Sequence, residues 1–212
     1  MTTNEKKKYL KKLNFLIRWV FQDLLINIES YKNIWSNYNK NGFSSGKIKI
    51  VDSRIILNES NMGSLQLLCV GVELFGRVIN GFGIKKKKSG KAFKLFMERF
   101  KNSRYRSLKS DLYKCYRCGL LHSYILGYDD KEVGFFPVRG TLDHHLMFTT
   151  RNGKQPKLEK SSRNFRLAVD IDQFYKDFKE AVECLIFDFK NNNLSELEYK
   201  NIKKSIYNIP QD

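Results

Sequence analysis

The sequence lacks several features that would place the protein in well-known classes. No stretch of about eighteen apolar residues is uninterrupted, so a membrane span is not expected. Lysines interrupt the apolar positions near the N-terminus and no small-residue cleavage site follows, so no signal peptide is expected. The four cysteines do not form the pattern of a disulfide framework, which favours reduced thiols in a cytoplasmic protein. Cys115 and Cys118 lack a second pair at zinc spacing, so neither a metal nor another cofactor is expected.

Acidic residues are scarce relative to basic ones. The 212 residues include 39 Lys and Arg but 22 Asp and Glu, which gives a formal charge of +17 and makes nucleic acid the first candidate partner. Residues 85–109 contain eleven of the cations and a single acidic residue, Glu98. The predicted RNA contacts in and near this stretch are Lys85, Lys86, Lys87, Lys88, Lys91, Lys94, Arg104 and Arg106.

Four aromatic residues interleave with these cations: Phe93, Phe96, Phe100 and Tyr105. Two interpretations are open. An exposed ring could stack on a base while the cations follow the phosphates. Alternatively the rings belong to the hydrophobic core and the lysines form a solvated face. For the phenylalanines we favour the core.

The spacing of apolar residues predicts a mainly α-helical protein. Helices are expected at about 5–38, 64–80, 92–100, 108–122, from Asp172 onward and at 195–207. Strands are expected at 133–138, 145–150 and 165–171, and residues 47–57 are expected to form a short strand or an extended arm. The sequence therefore predicts one domain over 1–212, a helical bundle with a small antiparallel β insertion at about 124–171.

The segment Arg117-Cys-Gly-Leu-Leu-His122-Ser-Tyr124 places a fixed cation and a titratable imidazole near the end of a predicted helix. Metal-free cleavage of a phosphodiester needs such a pair, and with RNA the 2′-hydroxyl supplies the nucleophile. Five residues turn a helix by about 140° and rise roughly 7.5 Å. Either the arginine curls back, or two copies of the chain share one site across a two-fold axis. The alternative is a core-facing histidine and a surface arginine.

Other residues offer weaker signals. Arg139 precedes His144 by five residues, which repeats the spacing of the motif. Asp143, His144 and His145 are a further set of polar groups, for which we expect an exposed or half-buried pair of histidines.

The motif resembles a known signature. Arg-x-x-x-x-His late in a bundle helix resembles the HEPN ribonucleases, a group of toxins, abortive-infection proteins and CRISPR-associated effectors. With Tyr124 it is similar to the Arg-x-x-x-x-His-x-Tyr form of HEPN toxins that are paired with a minimal nucleotidyltransferase antitoxin. The resemblance implies a HEPN-like bundle, a homodimer, and a metal-independent endoribonuclease in toxin or antiviral defence. It implies catalytic roles for Arg117 and His122, and makes Tyr124 the residue that the antitoxin modifies.

One departure keeps an alternative open. Cys118 follows the arginine where active members often have Asn, Asp or His, and a thiol is a poor hydrogen-bond donor. Glu73 is a candidate to support the site, although it also lies four residues from Arg77 and is spaced for a plain ion pair. Cys118 favours the second hypothesis, a non-catalytic module that binds RNA or protein. A third is a subunit of a larger complex that docks through the β insertion.

Overall fold

A computed structural model describes residues 3–41, 53–82, 88–114, 134–138, 145–150, 157–158, 165–207 and 209. Side chains are described in these ranges except at 27–41, 53–63, 134–138, 149–150 and 165–166. The helices are α1 (Thr3–Asn41), α2 (Ser53–Asn80), α3 (Ser89–Met97), α4 (Arg104–Leu112), α5 (Ile171–Asn191) and α6 (Glu196–Ser205). The strands are β1 (Gly134–Val138), β2 (Met147–Thr150) and β3 (Phe165–Asp170). The chain is mainly helical, as predicted.

The helices occur where the sequence pattern predicts them, but four of their boundaries differ. α3 spans Ser89–Met97 and not 92–100, and α4 begins at Arg104 and not at Leu108. Phe100 is buried although it follows α3, so a buried aromatic residue did not mark the end of the helix. Residues 53–57 belong to α2, so the expectation of a strand or an extended arm there is wrong. The strongly apolar part of α2 begins at about residue 64. Once that part is helical, the helix can continue toward the N-terminus through residues that lack the apolar spacing. The N-cap of α5 is Asp170, whose side chain accepts from the Gln173 N–H, and not Asp172. Asp172 lies in the first turn, where a carboxylate also favours the helix.

Aromatic side chains fill the centre of the bundle. The Phe178 ring lies 5.1 Å from that of Phe21, 5.8 Å from Phe75 and 6.0 Å from Phe96. Large apolar rings contribute most of the buried area in such a core. All four rings of the basic stretch are almost completely buried: Phe93, Phe96, Phe100 and Tyr105. The core interpretation is confirmed for them, and the idea that one of them stacks on a base is wrong.

The sheet has three strands in the order β1-β3-β2. β2 and β3 are antiparallel, as predicted, but β1 lies parallel to β3, so the sheet is mixed. Alternation along a strand predicts which face is buried and carries no information on the direction of the neighbour. Pro137 lies in the edge strand β1, where a missing N–H is tolerated. No helix in the described part of the chain is long and apolar enough to cross a membrane.

A glycine allows α3 to approach α2 closely. A Cβ built on Gly76 would lie 2.0 Å from the carbonyl oxygen of Ala92 and 2.6 Å from its carbonyl carbon. Both are backbone atoms, so the contact cannot be relieved by a side-chain rotation. The position of α3 on the bundle therefore depends on the absence of a side chain at this point of α2.

We expect Gly76→Ala to lower the free energy of unfolding by about 1–3 kcal/mol, because α3 must move away from α2. Gly71→Ala is the matched control in the same helix. The atoms nearest to a Cβ there belong to the Phe178 ring, at 3.0 Å, and to a Val20 methyl, at 3.3 Å, and these side chains can shift. Urea unfolding measures both changes. A loss from Gly71→Ala equal to or above that from Gly76→Ala would contradict the assignment.

Candidate nucleic-acid interface

The residues of the predicted catalytic motif lie outside the described residues: Arg117, Cys118, His122 and Tyr124. The same holds for Lys85, Lys86, Lys87 and His144. The described part contains the helical hairpin of α3 and α4 that leads to the motif. It also contains the other predicted cations and Glu73.

Three cations of the basic stretch are held by carboxylates of the bundle. Arg99 donates to Asp188, at 3.2 Å, and to Glu198, at 2.6 Å. Burial acts to raise the pKa of the Glu198 carboxyl, but hydrogen bonds from Ser195, and after them the Arg99 guanidinium, lower it below its ordinary value. Lys101 pairs with Glu180 and Lys109 with Glu98. These charges are partly neutralised within the protein.

The Arg104 guanidinium forms hydrogen bonds within the protein. Its Nε donates to the Leu146 carbonyl and its Nη2 to the Leu158 carbonyl, both at 2.8 Å. Leu146 has a φ of 57°, a left-handed conformation that a leucine adopts at a cost. Burial lowers the pKa of the Arg104 guanidinium. The side chain thus anchors the turn before β2, and its predicted contact with RNA stays a prediction.

Lysines at intervals of three residues form a face of α3. Lys88, Lys91 and Lys94 have no ion pair with any described residue, and Lys88 and Lys91 are exposed. The Lys88 ammonium lies 4.8 Å from the centroid of the Phe82 ring, and that of Lys91 lies 5.9 Å from it. We call Lys88, Lys91 and Lys94 the α3 basic face. Among the described residues of the predicted RNA surface, the charges of the α3 basic face and of the exposed Arg106 on α4 are available to a ligand.

The α3 basic face begins beside the chain that leads into the motif. A Cβ built on Gly90 would lie 2.8 Å from a ring carbon of Tyr113, and the rings of Phe93 and Tyr113 are 5.5 Å apart. Lys114, the next residue, is exposed. The hairpin therefore brings the first turn of α3 next to the residue that precedes Arg117 by four positions.

Glu73 is buried and paired. Its Oε1 accepts from Arg77 Nε at 2.8 Å, and Arg77 Nη2 donates to the Ser89 hydroxyl at 2.5 Å. The ion-pair interpretation is confirmed, and the pair joins α2 to the first residue of α3. A role of Glu73 in supporting the Arg117–His122 site stays a prediction.

A buried polar network around His145 was not predicted. His145 is 9% exposed, so the expectation of an exposed or half-buried side chain is wrong. The Asp170 N–H donates to His145 Nδ1 at 3.0 Å, which makes Nδ1 an acceptor and places the proton of the neutral ring on Nε2. Nε2 lies 2.8 Å from the Tyr105 hydroxyl, which donates to Asp177 Oδ2 at 2.8 Å. Gln173 donates to the other carboxylate oxygen at 2.7 Å.

This network fastens the sheet to the bundle. It joins His145, next to β2, with Tyr105 of α4 and Asp177 of α5. Tyr105 is 40 residues from His145 and 72 from Asp177, so no local pattern in the sequence predicts it. Among the residues that the structure describes, no group of three His, Cys, Asp or Glu side chains could hold a metal ion.

Comparison with protein-family models, with curated proteins and with solved structures finds no match for this chain.

Replacing Tyr105 by Phe should lower the free energy of unfolding by about 1–3 kcal/mol near pH 7, because His145 Nε2 and Asp177 lose a partner in a buried site. Tyr207→Phe is the control, since Tyr207 is 66% exposed and should change stability little. Urea unfolding of the three proteins gives both values. Equal stability of Tyr105→Phe and the unchanged chain would contradict a stabilising network.

The stability difference should also depend on pH. Burial, and then the charge of Asp177, raises the pKa of Tyr105 well above its ordinary value of 10.0. The folded chain then keeps a proton that the unfolded chain releases, so this stabilisation is complete below pH 10 and declines as the pH rises above it. The gap between the unchanged chain and Tyr105→Phe should therefore shrink from about pH 9 to about pH 11. A constant gap would contradict the assignment.

Substitutions on α3 test the available charge. Lys91→Gln with Lys94→Gln should weaken RNA binding and lower the slope of log K against log salt by about 1.4, since each lost phosphate contact on a single strand contributes about 0.7. Lys101→Gln is the matched control, because Lys101 is exposed but paired with Glu180. Fluorescence anisotropy over a salt series provides the slopes. Equal slopes for the control and the α3 variant would argue against the α3 basic face.

Proposed function

We propose that this chain is a HEPN-like endoribonuclease that cleaves RNA without a metal ion, with Arg117 and His122 as its catalytic residues. The excess of basic residues, the unpaired charge of the α3 basic face and the Arg-x-x-x-x-His-x-Tyr motif support the proposal. A role in toxin–antitoxin or antiviral systems follows from the resemblance of the motif. Tyr124 is then the residue that a partner nucleotidyltransferase modifies.

One observation carries the proposal furthest: Tyr113 contacts the first turn of α3. Arg117 follows Tyr113 by four residues, so chain geometry limits the distance between their Cα atoms to about 14 Å. An RNA strand bound along Lys88 and Lys91 would therefore pass close to Arg117. A ribonuclease requires such binding charge near its catalytic groups.

The reaction that we propose needs no external nucleophile. The 2′-oxygen of a ribose attacks the adjacent phosphorus and the bond from phosphorus to the 5′-oxygen breaks. The 2′-hydroxyl loses its proton to a base, and the departing 5′-oxygen gains one from an acid. His122 performs such transfers near neutral pH, and the Arg117 guanidinium stabilises the charge on the non-bridging oxygens. The products are a 2′,3′-cyclic phosphate and a 5′-hydroxyl.

A homodimer suits this chemistry. A single imidazole cannot act as base and acid at the same moment. A second copy across a two-fold axis supplies another His122 and another Arg117 to one composite site. The helical separation of the two residues in one chain is then no obstacle.

The alternative function is a non-catalytic RNA- or protein-binding module, alone or as a subunit of a larger complex. Cys118 favours it, because a thiol is a weak substitute for the polar residue that often follows the arginine. This alternative expects RNA binding that survives Arg117→Ala and His122→Ala, without cleavage by any form of the chain.

The decisive experiment is cleavage of RNA in EDTA. We expect His122→Ala to lower the rate by about 10²–10⁴-fold, the contribution typical of a general acid or base. His144→Ala is the matched control, because the same five-residue spacing separates it from Arg139. Mass spectrometry of the fragments should find cyclic phosphate ends. Equal cleavage by the unchanged chain and His122→Ala would end the catalytic proposal.

A further inference from the structure

A groove lies between α1 and α6, on residues that the proposed catalytic site does not use. It is open to solvent and its volume is about 1140 Å³. Pockets for small molecules usually measure about 300–1,000 Å³, so the groove is large enough for several nucleotides. Its walls include three tyrosines and three lysines: Tyr9, Tyr199, Tyr207, Lys200, Lys203 and Lys204.

The walls of the groove are tied to the bundle. Lys6 Nζ donates to the Lys190 carbonyl and, at 2.8 Å, to Asn192 Oδ1, which joins α1 to the end of α5. Lys12 Nζ donates to the Tyr207 carbonyl and so joins α1 to the residues after α6. These bonds hold the two walls in place before any ligand binds.

Lysine ammonium groups lie close to two of the tyrosine rings that line the groove. The Lys12 ammonium lies 5.7 Å from the centroid of Tyr207, and that of Lys203 lies 5.4 Å from the centroid of Tyr9. Tyr207 is 66% exposed, so its ring is available to a ligand. Proteins that bind single-stranded nucleic acid combine a positive groove with rings on which bases stack.

The charge of the groove is mainly positive. Lys200 and Lys204 are exposed and form no ion pair with a described residue. Lys203 Nζ lies 3.7 Å from Glu5 Oε1, and Glu196 is the acidic residue among the described residues that line the groove. This excess of positive charge favours a phosphate backbone as the ligand over an acidic protein segment or an uncharged molecule.

We infer that the α1–α6 groove is a second binding site for single-stranded RNA, in which Tyr207 stacks on a base and Lys200 and Lys204 contact phosphates. The inference rests on the proposed function for the choice of RNA among polyanions, and it does not require cleavage. Stacking in the groove gives the protein a preference for unpaired RNA, since a duplex hides the base faces.

The test is binding of a fluorescent oligouridylate of about twelve residues with 2′-O-methyl groups, which cannot be cleaved by 2′-oxygen attack. Tyr207→Ala should bind about tenfold more weakly, whereas Tyr207→Phe, which keeps the ring, should bind within about twofold of the unchanged chain. Lys200→Gln with Lys204→Gln should lower the salt slope by about 1.4. Lys179→Gln, an exposed lysine of α5, is the control and should change nothing.

Two results would overturn the inference. One is no binding of this RNA by the unchanged chain. The other is binding by Tyr207→Ala within about twofold of the unchanged chain. Circular dichroism confirms that each variant is folded, and Tyr207→Phe serves as the folded reference at the same position. The probe cannot be cleaved, so this binding measurement does not depend on the outcome of the cleavage assay in EDTA. Failure of the nuclease proposal and failure of the groove inference are therefore distinguishable.

Discussion

The position of the basic face depends on the close contact between α2 and α3 at Gly76. Because no side chain stands there, the Ala92 carbonyl lies directly against α2 and the rings of Phe93 and Phe96 enter the core. Burying that side of α3 leaves its lysines on the opposite side, in solvent. The same packing brings the first turn of α3 against Tyr113. A core contact thus determines where charge is presented and which part of the chain it borders.

Some basic residues of the protein hold the bundle together and others are free to contact a ligand, and composition alone cannot separate the two groups. Arg99 and Arg104 lie in the same basic stretch as Lys91, yet both are used to hold the bundle together. Lys88 and Lys91 have no such partner among the described residues. The proposed RNA-binding surface is therefore smaller than the basic stretch suggests. The proposed second site adds Lys200 and Lys204, which belong to the C-terminal helix α6 and lie outside that stretch.

The sequence predicted the helices of the core well, because burial imposes a regular spacing of apolar residues, as in α5 from Phe174 to Phe189. It failed where the deciding partner is distant. The alternation of apolar and polar residues along a strand could not predict that β1 pairs with β3 in parallel. His145, Tyr105 and Asp177 meet only in the fold, as do the tyrosines of the groove. Of the candidate site, the lysines of α3 were predicted. The hydrogen bonds of Arg104 to the Leu146 and Leu158 carbonyls were not predicted, because a backbone carbonyl acceptor requires no particular residue type.

The central claim is that RNA lies along the α3 basic face and reaches the Arg117–His122 segment. Photo-crosslinking of the full chain to an RNA that contains 4-thiouridine, followed by mass spectrometry of the linked peptides, tests it most directly. The account predicts crosslinks within 88–94 and within 113–124, which an excess of unlabelled RNA removes. Crosslinks confined to the exposed side of α5, around Lys179, with none on α3 or in the motif, would contradict it.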